Sequence, residues 1–538
     1  MLQKKNVIRA IKKTQYDLKY PPQYIEESIW PEEVMKVALA QKASHRLKKK
    51  IPFNYMVTEF KSHEDSTDYY LKENKELSGF IQFLKDNHHK LPEGLRFQLA
   101  VLINGHWTCV DNLITSKGIS TFNLDAVMGD KARIFFLVYN NHLQHHKILR
   151  SGYTYYVSVP SEGPLAGTPK EKVANMIQTD FVSCGIFVVD HLSFLSRTNV
   201  FQHLKKNLGE SDYVTLGRAD IPQSLSSIFR LSQSKRLFAN LGSKQMKQPV
   251  TRKEKTLAEA KNSLYVNAKN KGNRILTNAL TYVQDSDEDV YQKIFSHKLQ
   301  DQLSAYVQNY SKPVNDLIAF IYNSLPECLY LSDEESIKLM EQLHQVILLP
   351  NCNDTQKILK LVDIAVPVLE KSNNAASYRS IAGILSYTVL HIDDNQQLFD
   401  FYCNIVNSSF YKGLNTNTNS FFNTPTRFTP ALISHIEKAI KTQLLYNAAI
   451  DLSKEQNNQL NFISNSPECL GFLKKPRTFD TTETKSSQVF HRLTDLQNKK
   501  IDGSLESVMQ TLEQRRNEVL NEFHFGITPA SDIPHSLS

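Results

Sequence analysis

The sequence predicts an α+β region followed by an all-helical region, on three observations. Short β-rich runs separated by turn residues are confined to residues 97–159. A long apolar run, CGIFVVDHLSFLSR, follows at 184–197 and suits a buried helix. Apolar residues at helical spacing then recur from about 280 to 525.

Taken in order, the first 60 residues read as a basic helical extension, with Ile8, Ile11 and Tyr16 as sparse apolar positions and Arg46, Lys48, Lys49 and Lys50 ahead of Pro52. The start, MLQKKNVIRAIKKTQYDLKY, is charged but lacks the apolar core of a secretory signal. Residues 61–234 read as one α+β unit, with strands expected at FQLAVLI (97–103), WTCVD (107–111), ISTFNL (119–124) and TYYVSV (154–159). Residues 235–275 carry many Lys and Arg against only Glu254 and Glu259, and read as a basic linker. Residues 276–525 read as an all-helical domain punctuated by Pro313, Pro326, Pro350, Pro425 and Pro430. Residues 526–538 read as a disordered tail. The tetrapeptide PECL occurs at 326–329 and 467–470, but no sustained period surrounds it, so no repeat architecture is expected.

Composition narrows the class. No run approaches the ~18 apolar residues of a membrane span, so no transmembrane segment is expected. The net charge of +8 comes from 63 basic and 55 acidic residues and names no partner. The basic stretch offers only Phe238 and Tyr265 for stacking on bases, so no nucleic-acid partner is expected. Six cysteines are scattered without C-x-x-C pairs, which excludes a disulfide framework and a zinc site of the usual spacing. A reducing compartment, where a thiol stays available as a nucleophile, fits that usage.

A nucleophilic cysteine needs a base, a group that orients the base, and donors for the oxyanion. Cys184 stands where the polar loop QTDFVS meets the apolar run, so the first-turn amides and dipole of a helix favour its thiolate. Gly185 leaves space above the sulfur. His106 follows the strand 97–103 across Asn104 and Gly105, with Trp107 beside it. Asp125 ends the strand run ISTFNL, and Gln178 lies six residues before Cys184, where its amide suits an oxyanion hole. Asp180 and Asp111 compete with Asp125 as the orienting acid, and Cys109 is expected to be a packing residue.

The order His-Trp, then an acid at a strand end, then Gln-x5-Cys-Gly before an apolar helix, resembles the CE clan of cysteine enzymes. That clan includes the Ulp and sentrin-specific proteases, bacterial deubiquitinase effectors and the YopJ-type acetyltransferases. The specific pieces are GHWTCVD at 105–111 and QTDFVSCGIFVVDHL at 178–192. Two positions depart from the protease pattern: Ser183 stands where Asp commonly precedes the cysteine, and Thr179 and Asp180 replace an Asn-Gly pair.

The resemblance implies a papain-like catalytic domain with His106 as base, Asp125 as its orienting acid, Cys184 as nucleophile and Gln178 as oxyanion donor. Trp107 and Gly185 would wall a narrow channel, with Trp107 as roof and Gly185 as floor. The leading expectation is a cysteine protease that removes ubiquitin or a ubiquitin-like modifier from host proteins without a cofactor. The alternative is a YopJ-type acetyltransferase using acetyl-CoA and inositol hexakisphosphate, the latter held by basic residues such as those of 235–274. A further alternative is an interaction protein with a degenerate catalytic domain, its helical half binding host proteins. The composition and the missing signal lead us to expect a secreted effector acting in the host cell cytoplasm.

Overall fold

The computed structural model describes residues 3–21, 29–61, 74–127, 130–155, 176–180, 182–204, 208–209, 211–251, 254–327, 331–372, 374–416, 428–475, 485–498 and 504–523. The chain divides into two compact units, Met1–Asn309 with Asp333–Glu341, and Tyr310–Ser332 with Gln342–Ser538.

The first unit holds a six-stranded mixed sheet whose spatial order follows the sequence. Its strands are β1 (Tyr55–Phe60), β2 (Arg96–Ile103), β3 (His106–Thr115), β4 (Gly118–Leu124), β5 (Leu149–Tyr155) and β6 (Asp212–Leu216). β2, β3 and β4 form an antiparallel meander, while β1 joins β2, and β5 joins β4 and β6, in parallel. The β2–β3 hairpin turns on Asn104 and Gly105, both at positive φ, the backbone that an Asn-Gly pair adopts in a tight hairpin. The run expected at 154–159 is the end of β5, and residues 156–159 lie outside the described residues.

The run at 184–197 is a helix, Cys184–Leu195, buried on every side. That explains its lack of a polar stripe: a helix apolar all round belongs in a core. One face of this helix meets the sheet, and the other meets two helices from outside residues 61–234, Glu32–Leu47 and Leu264–Asp285.

The residues expected to form an N-terminal extension are integral to the first unit. Helix α1 (Lys4–Lys19) buries Val7, Ile11, Thr14 and Leu18 along one stripe, and α2 (Glu32–Leu47) buries Val34, Met35, Val37, Ala38 and Leu39. Both share one core cluster with residues of 268–283. Tyr16, read as an apolar position, faces outward at 63% exposure, because the buried stripe runs two positions away from it.

The stretch expected to be a basic linker is folded as well. Leu237, Phe238, Leu241, Val250 and Leu257 are buried in the same core, and the long helix Leu264–Asp285 begins inside the predicted linker. Its many charges hide an apolar spacing that only packing reveals. The expected boundary at 275/276 therefore falls in mid-helix, and the first unit continues to Asn309.

In the second unit the described residues are helical, as the spacing of their apolar residues predicts. Their starts are fixed by polar caps: Asn353, Asn374, Asp394 and Ser504 each accept from an amide in the first turn. The predicted tail 526–538 lies outside the described residues.

Candidate active site

The hairpin and the meander bring His106 and Asp125 together. His106 opens β3, and Cys109 pairs with Leu124, the last residue of β4, so Asp125 emerges at the same sheet end. Their side chains meet with His106 Nε2 at 2.6 Å from Asp125 Oδ1. Asp125 is fully buried and His106 keeps 16% exposure. With Nε2 engaged, Nδ1 is the nitrogen left for a second partner. That partner is the Cys184 thiol, which hydrogen-bonds to the imidazole.

Burial works against charge on His106, but the Asp125 carboxylate and the Cys184 sulfur outweigh it, and its pKa is raised to about 10. The ring is therefore an imidazolium at neutral pH. The Cys184 sulfur thus stands beside a positively charged ring. Cys184 is the first residue of its helix. The first amides of a helix have no intrahelical carbonyl to bond and are oriented to receive negative charge.

The loop that delivers Cys184 is tied at both ends. The Ile177 and Gln178 amides donate to the carbonyl of Ala126, the residue after Asp125, at 2.9 and 2.8 Å. Gln233, 2% exposed, accepts from the Thr179 and Asp180 amides at 3.0 and 3.1 Å and donates to the Asp180 carboxylate at 2.6 Å. Asp180 in turn accepts from the Ser183 amide at 2.9 Å and the Ser183 hydroxyl at 2.8 Å. Asp180 thus shapes the turn before the helix, which is a different role from orienting the imidazole.

Gln178 is fully buried beside this turn, with its amide nitrogen 2.6 Å from the Asp180 carbonyl and its own side-chain oxygen without a hydrogen-bond partner. The same nitrogen stands 3.2 Å from Asp180 Oδ1, so both N–H groups have acceptors on Asp180, and an oxyanion would take one of them over. The other competing acid, Asp111, lies further along β3 and pairs with Arg96; burial pushes its pKa up to about 6, with Arg96 opposing. Cys109 is buried among strands, donates to the Leu124 carbonyl at 3.4 Å, and has its thiol pushed far up by burial.

The wall of the site differs from the expectation. Trp107 is 1% exposed and lies in the core, with its indole N–H donating to the Trp30 carbonyl at 2.8 Å. The ring beside Gly185 is that of Trp30, whose Cγ and Cδ2 would stand 2.7 and 2.6 Å from a Cβ at that glycine. Ile29 meets Gly105 in the same way at 2.8 Å. The Ile29–Trp30 segment therefore crosses both glycines that flank the catalytic groups. Neither Trp30 nor Gln233 was found from the sequence, since nothing in their local context marks them.

Behind the nucleophile, on the same helix, Asp190 is buried and receives Arg230 Nε at 3.0 Å and Lys271 Nζ at 2.9 Å. Lys42 also lies near this carboxylate, with Arg46 and Arg274 close to Lys42 and Arg274 close to Lys271. Burial first, then repulsion from Lys271, lowers Lys42 to about 8. Asp190 favours charge on Lys271, but burial and the neighbouring Arg230 and Arg274 prevail, and its pKa is lowered. Asp190 thus pairs with Arg230 and Lys271 and attracts Lys42.

No protein-family profile matches the chain, and no curated protein matches it. Among solved structures the chain is similar to AvrA, in the structure described as "AvrA delL154 with IP6, CoA". The identity is 14%, the match covers 52% of this chain and 99% of that chain, and the TM-score is 0.35. At that score the likeness carries no weight for fold or function, which rest on the geometry above.

Proposed function

We propose that this chain is a cysteine acyltransferase with a papain-like core of the CE-clan type, moving an acetyl group from acetyl-CoA to a hydroxyl or amine of a host protein. The observation that carries acyl transfer is the hydrogen-bonded series Asp125, His106, Cys184 at the start of a buried helix.

The chemistry follows from the charge state of the pair. The Cys184 thiolate attacks the thioester carbonyl, and the oxyanion is received by first-turn amides and the Gln178 amide. The CoA thiolate leaves with the proton of the His106 imidazolium, and Cys184 is left acetylated. Neutral His106 then takes the proton of the acceptor hydroxyl or amine as that atom attacks the acyl-cysteine. Transfer restores the thiolate and the imidazolium. Asp125 holds the ring through Nε2 during both steps.

The excess of cations around Asp190 supports acetyl transfer over proteolysis. A protease of ubiquitin-like proteins has no need of it, whereas the acetyltransferases of this clan use inositol hexakisphosphate. Lys42, Lys271 and Arg274 are the residues that would hold such a polyphosphate, whose charge would favour the charged forms that burial and mutual repulsion disfavour in Lys42 and Lys271. A second reading, the cysteine protease acting on ubiquitin or a ubiquitin-like modifier, is favoured by the third residue being aspartate, since the acetyltransferase branch commonly has glutamate there.

The two separate in one experiment on the full chain. Incubation with acetyl-CoA and inositol hexakisphosphate should leave an acetyl thioester on Cys184, seen by intact mass and absent from Cys184→Ala. Covalent capture by ubiquitin, NEDD8 or SUMO carrying a C-terminal electrophile, without acetylation, would make the chain a protease instead.

A further inference from the structure

We propose that the outer face of α1 is a peripheral membrane surface that docks on anionic lipid headgroups. Helix α1 presents two opposite stripes. Val7, Ile11, Thr14 and Leu18 are buried, whereas Lys5, Arg9, Lys12, Tyr16, Lys19 and Tyr20 are exposed at the three- and four-residue spacing of a single face. The inner stripe fixes the helix to the body: Lys4 Nζ donates to the Ser286 carbonyl at 2.7 Å, Gln15 to Thr277 at 3.2 Å, and Leu18 lies against Gly272. The outer stripe is therefore held in place, and nothing in the catalytic reading uses it.

Two properties of that stripe identify its partner. The first is charge: from Lys4 to Tyr20 the only acid is Asp17, which pairs with Lys13 at 4.0 Å, leaving five cations unopposed within the helix. The second is aromatic exposure. Tyr16 and Tyr20 are 63% and 52% exposed, their rings lie 5.0 Å apart, and Lys19 sits over Tyr20. Among the described residues, Leu47 is the only other large apolar side chain exposed to this degree.

Tyrosine rings are at home at the headgroup level, where the ring meets acyl chains and the hydroxyl meets water, and Lys and Arg bind the phosphates beside them. Because the apolar stripe of α1 is occupied by the protein, the contact is a surface one, without insertion of the helix. Docking by cations of this kind weakens with salt. The inference is independent of which acyl-transfer reaction Cys184 performs.

The test is co-sedimentation of the full chain with vesicles of phosphatidylcholine alone and of phosphatidylcholine with phosphatidylserine. Binding to the second and not the first is expected, declining as salt rises. The Arg9→Gln/Lys12→Gln variant should bind about 25-fold more weakly, about fivefold for each cation lost. Tyr16→Ala/Tyr20→Ala should weaken binding while keeping its salt dependence. Lys244→Gln/Lys247→Gln, exposed cations elsewhere on the first unit, should bind as the natural chain does. All four residues in the α1 variants are exposed, and an unchanged circular dichroism spectrum shows that the fold is kept. Equal binding to both vesicles, or no loss in the α1 variants, overturns the proposal. So does binding to polyglutamate or DNA as tight as to vesicles with no loss in the tyrosine variant, which would make the stripe a site for acidic macromolecules.

Discussion

At the scale of single residues, the site is governed by one ionised ring. The folded pKa of His106, about 10, lies above the ordinary value near 6.5. Its contribution to stability is then complete below about pH 6.5 and is lost as the pH rises through about 10. The stability difference between the natural chain and His106→Ala, from urea unfolding, should shrink across that window; a difference that grows would contradict the assignment. Asp125→Asn leaves the shape but removes the charge that holds His106 ionised, so turnover should fall by about 10²–10⁴-fold, with the apparent pKa of His106 moving down in an NMR titration. His106 and Cys184 were legible in the sequence because each sits in a short run of matching residues. Asp125 was one acid among three there, and only the register of β3 against β4 selects it over Asp111 and Asp180.

At the scale of elements, the important object is the turn that starts the catalytic helix. Gln233 reaches it from more than fifty residues away, accepts from two of its amides and donates to the Asp180 carboxylate. Gln233→Ala should cost about 1–3 kcal/mol and lower turnover further than that loss alone explains, measured as kcat on protein confirmed to be folded. Trp30 against Gly185 is the second such contact. A methyl at position 185 meets the indole at 2.6–3.0 Å, where a fused ring cannot give way as the end of a flexible chain can. Gly185→Ala should therefore destabilise by about 1–3 kcal/mol, and Trp30→Leu in the same chain should restore part of it. If thermal unfolding of Gly185→Ala matches the natural chain, the Trp30 contact is not the constraint described here.

At the scale of the whole molecule, the first unit is one cooperative body drawn from distant stretches of the chain. Residues 264–285 cover the inner faces of α1 and α2, and Gly272 lies between Leu18 and Ile186. A chain ended at residue 235 would expose Val7, Ile11, Leu18 and Ile186 together. We expect that truncation to aggregate and to lose acyl transfer, checked by gel filtration and acetylation of Cys184. A monomeric, active fragment would restore the boundary that composition suggested.

The nature of several elements was legible from local pattern: β-rich runs between turn residues marked the strands of the meander, a long apolar run marked the buried helix, and helical spacing of apolar residues marked the second unit. The Cys–His constellation was legible for the same reason, since each half lies within a few residues of a turn or a helix start. The fate of the basic segments was not. Val7, Ile11, Thr14 and Leu18 form a stripe only once a partner helix defines which side is inside, and the lysines around them dominate composition while occupying the solvent face. Trp30, Gln233 and the cations around Asp190 come from separate stretches of sequence, so their meeting is a property of the tertiary structure alone. What the sequence by itself determined is which groups can react; what packing decided is which acid orients the base, which ring lies on Gly185, and where cations are brought close to one another.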